Sequence, residues 1–104
     1  MATVTKALFR GAAATSNTTL YTVPNTSTTT VVTNIVIANT AAATSTATIN
    51  IDSVALASGV SLAPNSVTTI DLKQVIPANA TPKTISGSAG ATTVNFHISG
   101  VEIS

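Results

Sequence analysis

The sequence contains no cysteine and no tryptophan, only four prolines and five glycines, and three aromatic residues, Phe9, Tyr21 and Phe96. Without cysteine the chain forms neither disulfides nor thiolate metal sites. Charge is equally scarce. Lys6, Arg10, Asp52, Asp71, Lys73, Lys83 and Glu102 make up 7% of the 104 residues and sum to +1, against the ~25% charged residues of an average domain. Four scattered cations cannot build the basic face that displaces counterions from phosphates, so no nucleic-acid partner is expected. No apolar run approaches the roughly 18 residues that span a bilayer, so no membrane partner is expected. The first residues lack a basic stretch followed by an apolar core, which predicts synthesis in a cytoplasm without a secretory signal.

What is present is small and branched at Cβ. Thr, Ala, Ser, Val, Ile and Asn supply 77 of the 104 residues. Thr, Val and Ile hold χ1 stiffly and suit a pleated strand better than a helix. The composition is all-β, and the length fits one domain, residues 1–104.

Eight strands are predicted, spaced by turn signals as in a sandwich or barrel. Thr3–Leu8 is the first, broken by Arg10-Gly11. Thr18–Val23 follows and ends at Pro24-Asn25. Thr29–Asn39 is the strongest. Val31, Thr33, Ile35 and Ile37 fall on one side of it and Val32, Asn34, Val36 and Ala38 on the other. Its centre is apolar on both sides, which predicts a central strand with both faces covered. Residues 41–46 read as a loop. Ala47–Ile51 alternates cleanly, and Asp52-Ser53 is a tight turn into Val54–Leu56. Ser58-Gly59 leads to Val60–Leu62, and Ala63–Ser66 turns again. Val67–Leu72 has conflicting faces. Ile76–Pro82, with two prolines, is a loop. Thr84–Ser88 is short. In the last strand Val94, Phe96 and Ile98 point one way and Val101 and Ile103 take the opposite parity, so the phase slips at Ser99-Gly100 as at a β-bulge. The expected architecture is a small antiparallel β-sandwich of about eight strands, jelly-roll or Ig-like, with residues 1–10 as an N-terminal contact arm.

Chemistry-bearing side chains are few. His97 is the only imidazole. It lies on the outer side of the last strand, and no second His or Cys can complete a zinc site with it. It reads as a half-exposed strand histidine. Asp52 serves its turn. Asp71 and Lys73 share one parity and could pair weakly, for about 0–1 kcal/mol. No carboxylate pair suggests glycoside hydrolysis, and one His cannot activate the many Ser and Thr hydroxyls. Catalytic, metal and cofactor-binding residues are therefore assigned as none, and the chain is not expected to be an enzyme. The threonine-rich stretches Thr26–Thr30 and Thr44–Thr48 could form flat hydroxyl arrays, but they do not recur at a fixed period. Bare Thr/Ala faces with so little charge point instead to burial in an assembly.

Five segments carry a resemblance: Lys6-Ala-Leu-Phe-Arg-Gly11, Thr19-Leu-Tyr-Thr-Val-Pro24, Val31–Thr40, Ile70–Val75 and Val94–Ile103. In them the chain resembles short virion proteins of tailed bacteriophages over nearly its whole length. These are patterns of strands and turns rather than active-site signatures. The resemblance implies a β-sandwich present in many copies on the particle exterior, made in the host cytoplasm. The short chain, with no shaft segment, favours a capsid decoration protein. Such a protein binds the major capsid protein or another virion protein, stabilises the shell and self-associates, with a trimer favoured. Residues 1–10 and Pro77–Pro82 are the expected lattice contacts. The alternative is a neck- or tail-associated component or a glycan-binding module, for which Tyr21 is the aromatic left for sugar stacking.

Overall fold

The computed structural model describes residues 3–24, 26–81 and 83–104. Among them eight strands form: β1 (Thr3–Ala12), β2 (Thr18–Thr22), β3 (Thr29–Asn39), β4 (Ser45–Ile51), β5 (Val54–Leu62), β6 (Ser66–Ile76), β7 (Thr84–Ala89) and β8 (Val94–Ile103). They make two antiparallel four-stranded sheets, in the orders β1-β8-β3-β6 and β2-β7-β4-β5. The pairs are nested: first with eighth, second with seventh, third with sixth, fourth with fifth. Only β4 and β5 are joined within one sheet. Every other connection crosses to the opposite layer, which is the jelly-roll arrangement and not the Ig-like one.

The core lies between the sheets. Phe96, Ile35, Ile37, Ile49 and Ile85 are fully buried there. Strict alternation puts these residues on one side of each pleat. At Asp52-Ser53 both residues take left-handed backbone angles, φ 54° and 62°, so the expected tight turn between β4 and β5 is present.

Several boundaries differ from the sequence expectation. β1 continues through Arg10-Gly11 to Ala12, because β8 offers partners that far, as in Arg10 opposite His97 and Ala12 opposite Asn95. The segment Thr3–Arg10, expected as an arm, is thus an edge strand; Met1 and Ala2 lie outside the described residues. Ser58-Gly59 does not separate two strands. It is an irregular point within β5, where Gly59 takes φ 60°. Ile76 is not in a loop but is the buried end of β6.

The phase of β8 does not slip. Val94, Phe96, Ile98 and Gly100 are all buried, and Val101 and Ile103 share the outer parity of His97. The irregularity lies in the neighbours. Leu8 is an extra residue in β1, level with Ile98-Ser99, and Thr33 an extra residue in β3, level with Ser99-Gly100. The extra Thr33 also re-sorts β3. Thr30 and Val32 face inward together with Ile35, Ile37 and Asn39, while Thr33 is exposed. A single inserted residue inverts side-chain parity beyond it.

Gly100 is required by this double irregularity. A Cβ there would lie 2.4 Å from the Val31 carbonyl oxygen and 2.8 Å from Leu8 Cδ1. Asn39 closes the other end of the sandwich. Its Nδ2 donates to the carbonyls of Ala43 (3.0 Å), Leu62 (3.3 Å) and Ala63 (3.1 Å), and its Oδ1 accepts from Ala41 N–H (3.2 Å). One buried amide thus satisfies backbone groups of two loops.

Two substitutions test this. Gly100→Ala forces a backbone shift in β3 and is expected to destabilise the fold by about 3 kcal/mol. Asn39→Ala leaves several buried backbone groups unpartnered and is expected to cost about 2–3 kcal/mol. Urea midpoints at constant slope measure both, and unchanged midpoints would contradict these assignments.

Candidate interaction surface

The two sheets present different outer faces. On the β2-β7-β4-β5 sheet Thr46, Thr48, Asn50 and Ser88 point outward, because Ala47, Ile49, Ile85 and Ala89 alternate inward; Ser86 shares the outward parity but is buried. Thr48 Oγ1 accepts from Gly59 N–H at 3.0 Å, and Asn50 Nδ2 donates to Asn17 Oδ1 at 3.2 Å. Of the threonine stretches, Thr46 and Thr48 reach this face, but Thr28 and Thr30 are buried. The expected hydroxyl arrays are therefore split between core and surface.

On the β1-β8-β3-β6 sheet the outer face mixes aliphatic with polar side chains. Val31, Val36 and Ala38 of β3 and Val101 and Ile103 of β8 are half-buried by their neighbours alone, and Val67 of β6 is 65% exposed. β3 was expected to be covered on both faces. The second sheet covers only one.

The four sheet edges are each interrupted. β1 carries Lys6, Arg10 and the Leu8 bulge, and β2 has five residues and a register shift. β5 has two irregular points, and β6 carries an extra residue between Asp71 and Gln74. Bulges, short strands and edge cations hinder strand-to-strand addition. Between β5 and β6 lies a shallow groove of about 220 Å³, lined by Ile51, Asp52, Val54, Ala55, Leu56, Gln74 and Val75.

His97 sits outward on β8, half-buried, where Nδ1 accepts a hydrogen bond from Arg10 Nε at 3.2 Å. That bond places the ring proton of the neutral imidazole on Nε2. Asp52 pairs with Lys83 at 3.5 Å. Asp71 forms no ion pair with Lys73, although both keep the outer parity of β6; it accepts from Asn34 Nδ2 at 3.3 Å instead. Among the described residues no group of three or more His, Asp or Glu side chains is placed to hold a metal ion. Also among them, no helix is long and apolar enough to cross a membrane.

The expectation for Tyr21 is corrected: it is 8% exposed and offers no stacking platform. Its hydroxyl is hydrogen-bonded to Thr30 Oγ1 (2.9 Å) and donates to the Glu102 carboxylate, which also pairs with Lys6 at 3.4 Å. This network joins β2 of one sheet to β1, β3 and β8 of the other. Burial, reinforced by the Glu102 carboxylate, pushes the Tyr21 phenol up to about 12. The expected contact loop keeps exposed positions at residues 77–81, where Thr81 N–H bonds Asn79 Oδ1 at 2.9 Å; Pro82 lies outside the described residues.

No protein-family model and no curated protein matches the sequence. Solved structures do share the fold. The chain is similar to one in the crystal structure of the T13 particle of infectious bursal disease virus, with a TM-score of 0.57 and 13% identity over 97% of this chain and 30% of that one. Chains of the Gx and Gt strains of the same virus match with TM-scores of 0.52 and 0.51 at 13% and 14% identity. In each the match covers 97% of this chain, and 31% and 30% of the other. This chain thus spans about a third of the length of the virus chains it resembles, and the likeness is one of fold.

The Tyr21 network predicts an alkaline signature. The unfolded phenol titrates near ~10, and the folded one at about 12. The group's contribution is complete below the unfolded value and is lost as pH rises through the folded one, so stability falls between the two. Tyr21→Phe is expected to lose roughly 1–2 kcal/mol at neutral pH and to show a shallower fall over that alkaline window. Urea unfolding of both proteins across the window checks this, and parallel profiles would contradict it.

Proposed function

We propose that the chain is a structural component of a virus particle, acting as a capsid decoration protein of a tailed bacteriophage. In this reading it binds the outer surface of the major capsid protein lattice and stabilises the shell. The observation that carries it is the jelly-roll strand order, matched over 97% of the chain to chains of virus particles. The surface supports it. Weakly charged, half-apolar faces suit a brick that spreads modest contacts over many copies, each shifting the shell equilibrium by mass action. No residue is given a catalytic role, because His97 is engaged by Arg10 and the carboxylates of Glu102 and Asp52 are engaged in structural pairs. Lattice contacts are assigned to the edge strand Thr3–Arg10, exposed in the single chain except at Leu8 and Phe9, and to the exposed loop 77–81.

With Tyr21 in the core, the glycan-binding alternative loses its aromatic platform. A neck or tail position remains the competitor to decoration, and copy number separates the two. Quantitative gel densitometry of purified particles is expected to give on the order of hundreds of copies, as a closed shell of repeated subunits requires. A handful of copies per particle would move the protein to the neck or tail.

A further inference from the structure

The outer face of the β1-β8-β3-β6 sheet is uncovered by the rest of the fold. Val31, Val36, Ala38, Val67, Val101 and Ile103 lie on it, and the interrupted edges around it discourage strand addition. Two features of this face identify what covers it.

The first is charge placement. Across the sheet, Arg10, His97, Val36 and Thr69 form one row. The adjacent outward row holds Ala7, Ser99, Asn34 and Asp71. The face therefore carries Arg10 on one edge strand and Asp71 on the opposite one, a same-face step of ~7 Å apart along the strand direction, with Lys73 one further step along β6 from Asp71. A two-fold axis lying in the face and parallel to the strands places β1 of one copy over β6 of the other. Arg10 then comes over Thr69, one step from Asp71, twice by symmetry. An axis across the strands would put like edge on like edge. Arg10 Nε is held by His97, which leaves the two Nη groups to meet a carboxylate.

The second feature is size. Four strands ~4.8 Å apart and about ten residues long give a projected face of roughly 600 Å². Studded with side chains, that is comparable to the ~800 Å² per partner of a standard stable interface.

We propose that this face binds a second copy of the chain in an isologous two-fold dimer, with two Arg10–Asp71 pairs at its edges, His97, Val36, Ser99 and Asn34 between them, and the aliphatic contacts of Val31 with Val101 and of Ala38 with Val67 toward its two ends. The two-fold contact takes the place of the trimer that the resemblance to decoration proteins implies. It rests on the surface alone and does not require the virion reading.

The test is a charge-swap cycle read by sedimentation equilibrium on the full chain. The wild type is expected at twice its 10.3 kDa. Arg10→Glu and Asp71→Arg each place like charges in contact and are expected to weaken the dimer roughly tenfold or more. The double swap is expected to restore it, and circular dichroism confirms folding of all four proteins. A wild-type monomer at ~100 μM, which excludes a dimer of even modest affinity, would overturn the proposal. So would single swaps without effect, or a double swap that fails to restore association.

Discussion

Strand β8 lies between β1 and β3, and each inward position along it meets a different demand. Val94, Phe96 and Ile98 fill the space between the sheets. Gly100 makes room where both neighbouring strands carry an extra residue. Glu102 then accepts from the Tyr21 hydroxyl of the opposite sheet. Moving β8 by one residue would send Phe96 to the surface and His97 into the core, so its register fixes the sandwich. The nested pairing follows from the same strand. Because β1 and β8 are partners at opposite ends of the chain, the fold closes only when the last residues arrive, and long-range pairing of this kind predicts slow folding.

The distribution of small residues explains why so weakly charged a surface can belong to a compact fold. Aliphatic side chains line the inside of both sheets, whereas Thr, Ser and Asn cover the outside of β4 and β7 and share the outside of the other sheet with valines. That other sheet keeps a mixed exterior. Its edges are bent by bulges and marked by Lys6 and Arg10, so the surface encourages face contacts while hindering edge pairing. Such a pattern suits a molecule that works by fixed association, and it is the physical link between the composition and the proposed structural role.

The legible parts of the fold are those where strict alternation meets a clean turn. Ala47–Ile51, the Asp52-Ser53 turn, and the Phe96 stripe could be read directly, because apolar spacing and left-handed turn residues act locally. Register was not legible at Leu8 and Thr33. An extra residue in a neighbour looks, along one strand, like a change of phase in that strand, so the irregularity was assigned to Ser99-Gly100. Tyr21 was misread because its partners, Thr30 and Glu102, are distant in sequence. Asn39 carried a signal that went unused: an amide on the inward parity two residues after Ile37 must find buried partners, and it found four. The pairing of sheets could not be read either, since alternation alone is the same for jelly-roll and Ig-like sandwiches.

The most direct measurement is a density map of the intact particle at a resolution that separates strands. The account predicts the β1-β8-β3-β6 / β2-β7-β4-β5 jelly roll repeated over the outside of the shell, with Val36 and His97 beneath a contacting subunit. A map in which the shell carries no such domain, or in which it is present with that sheet facing open solvent, would contradict it.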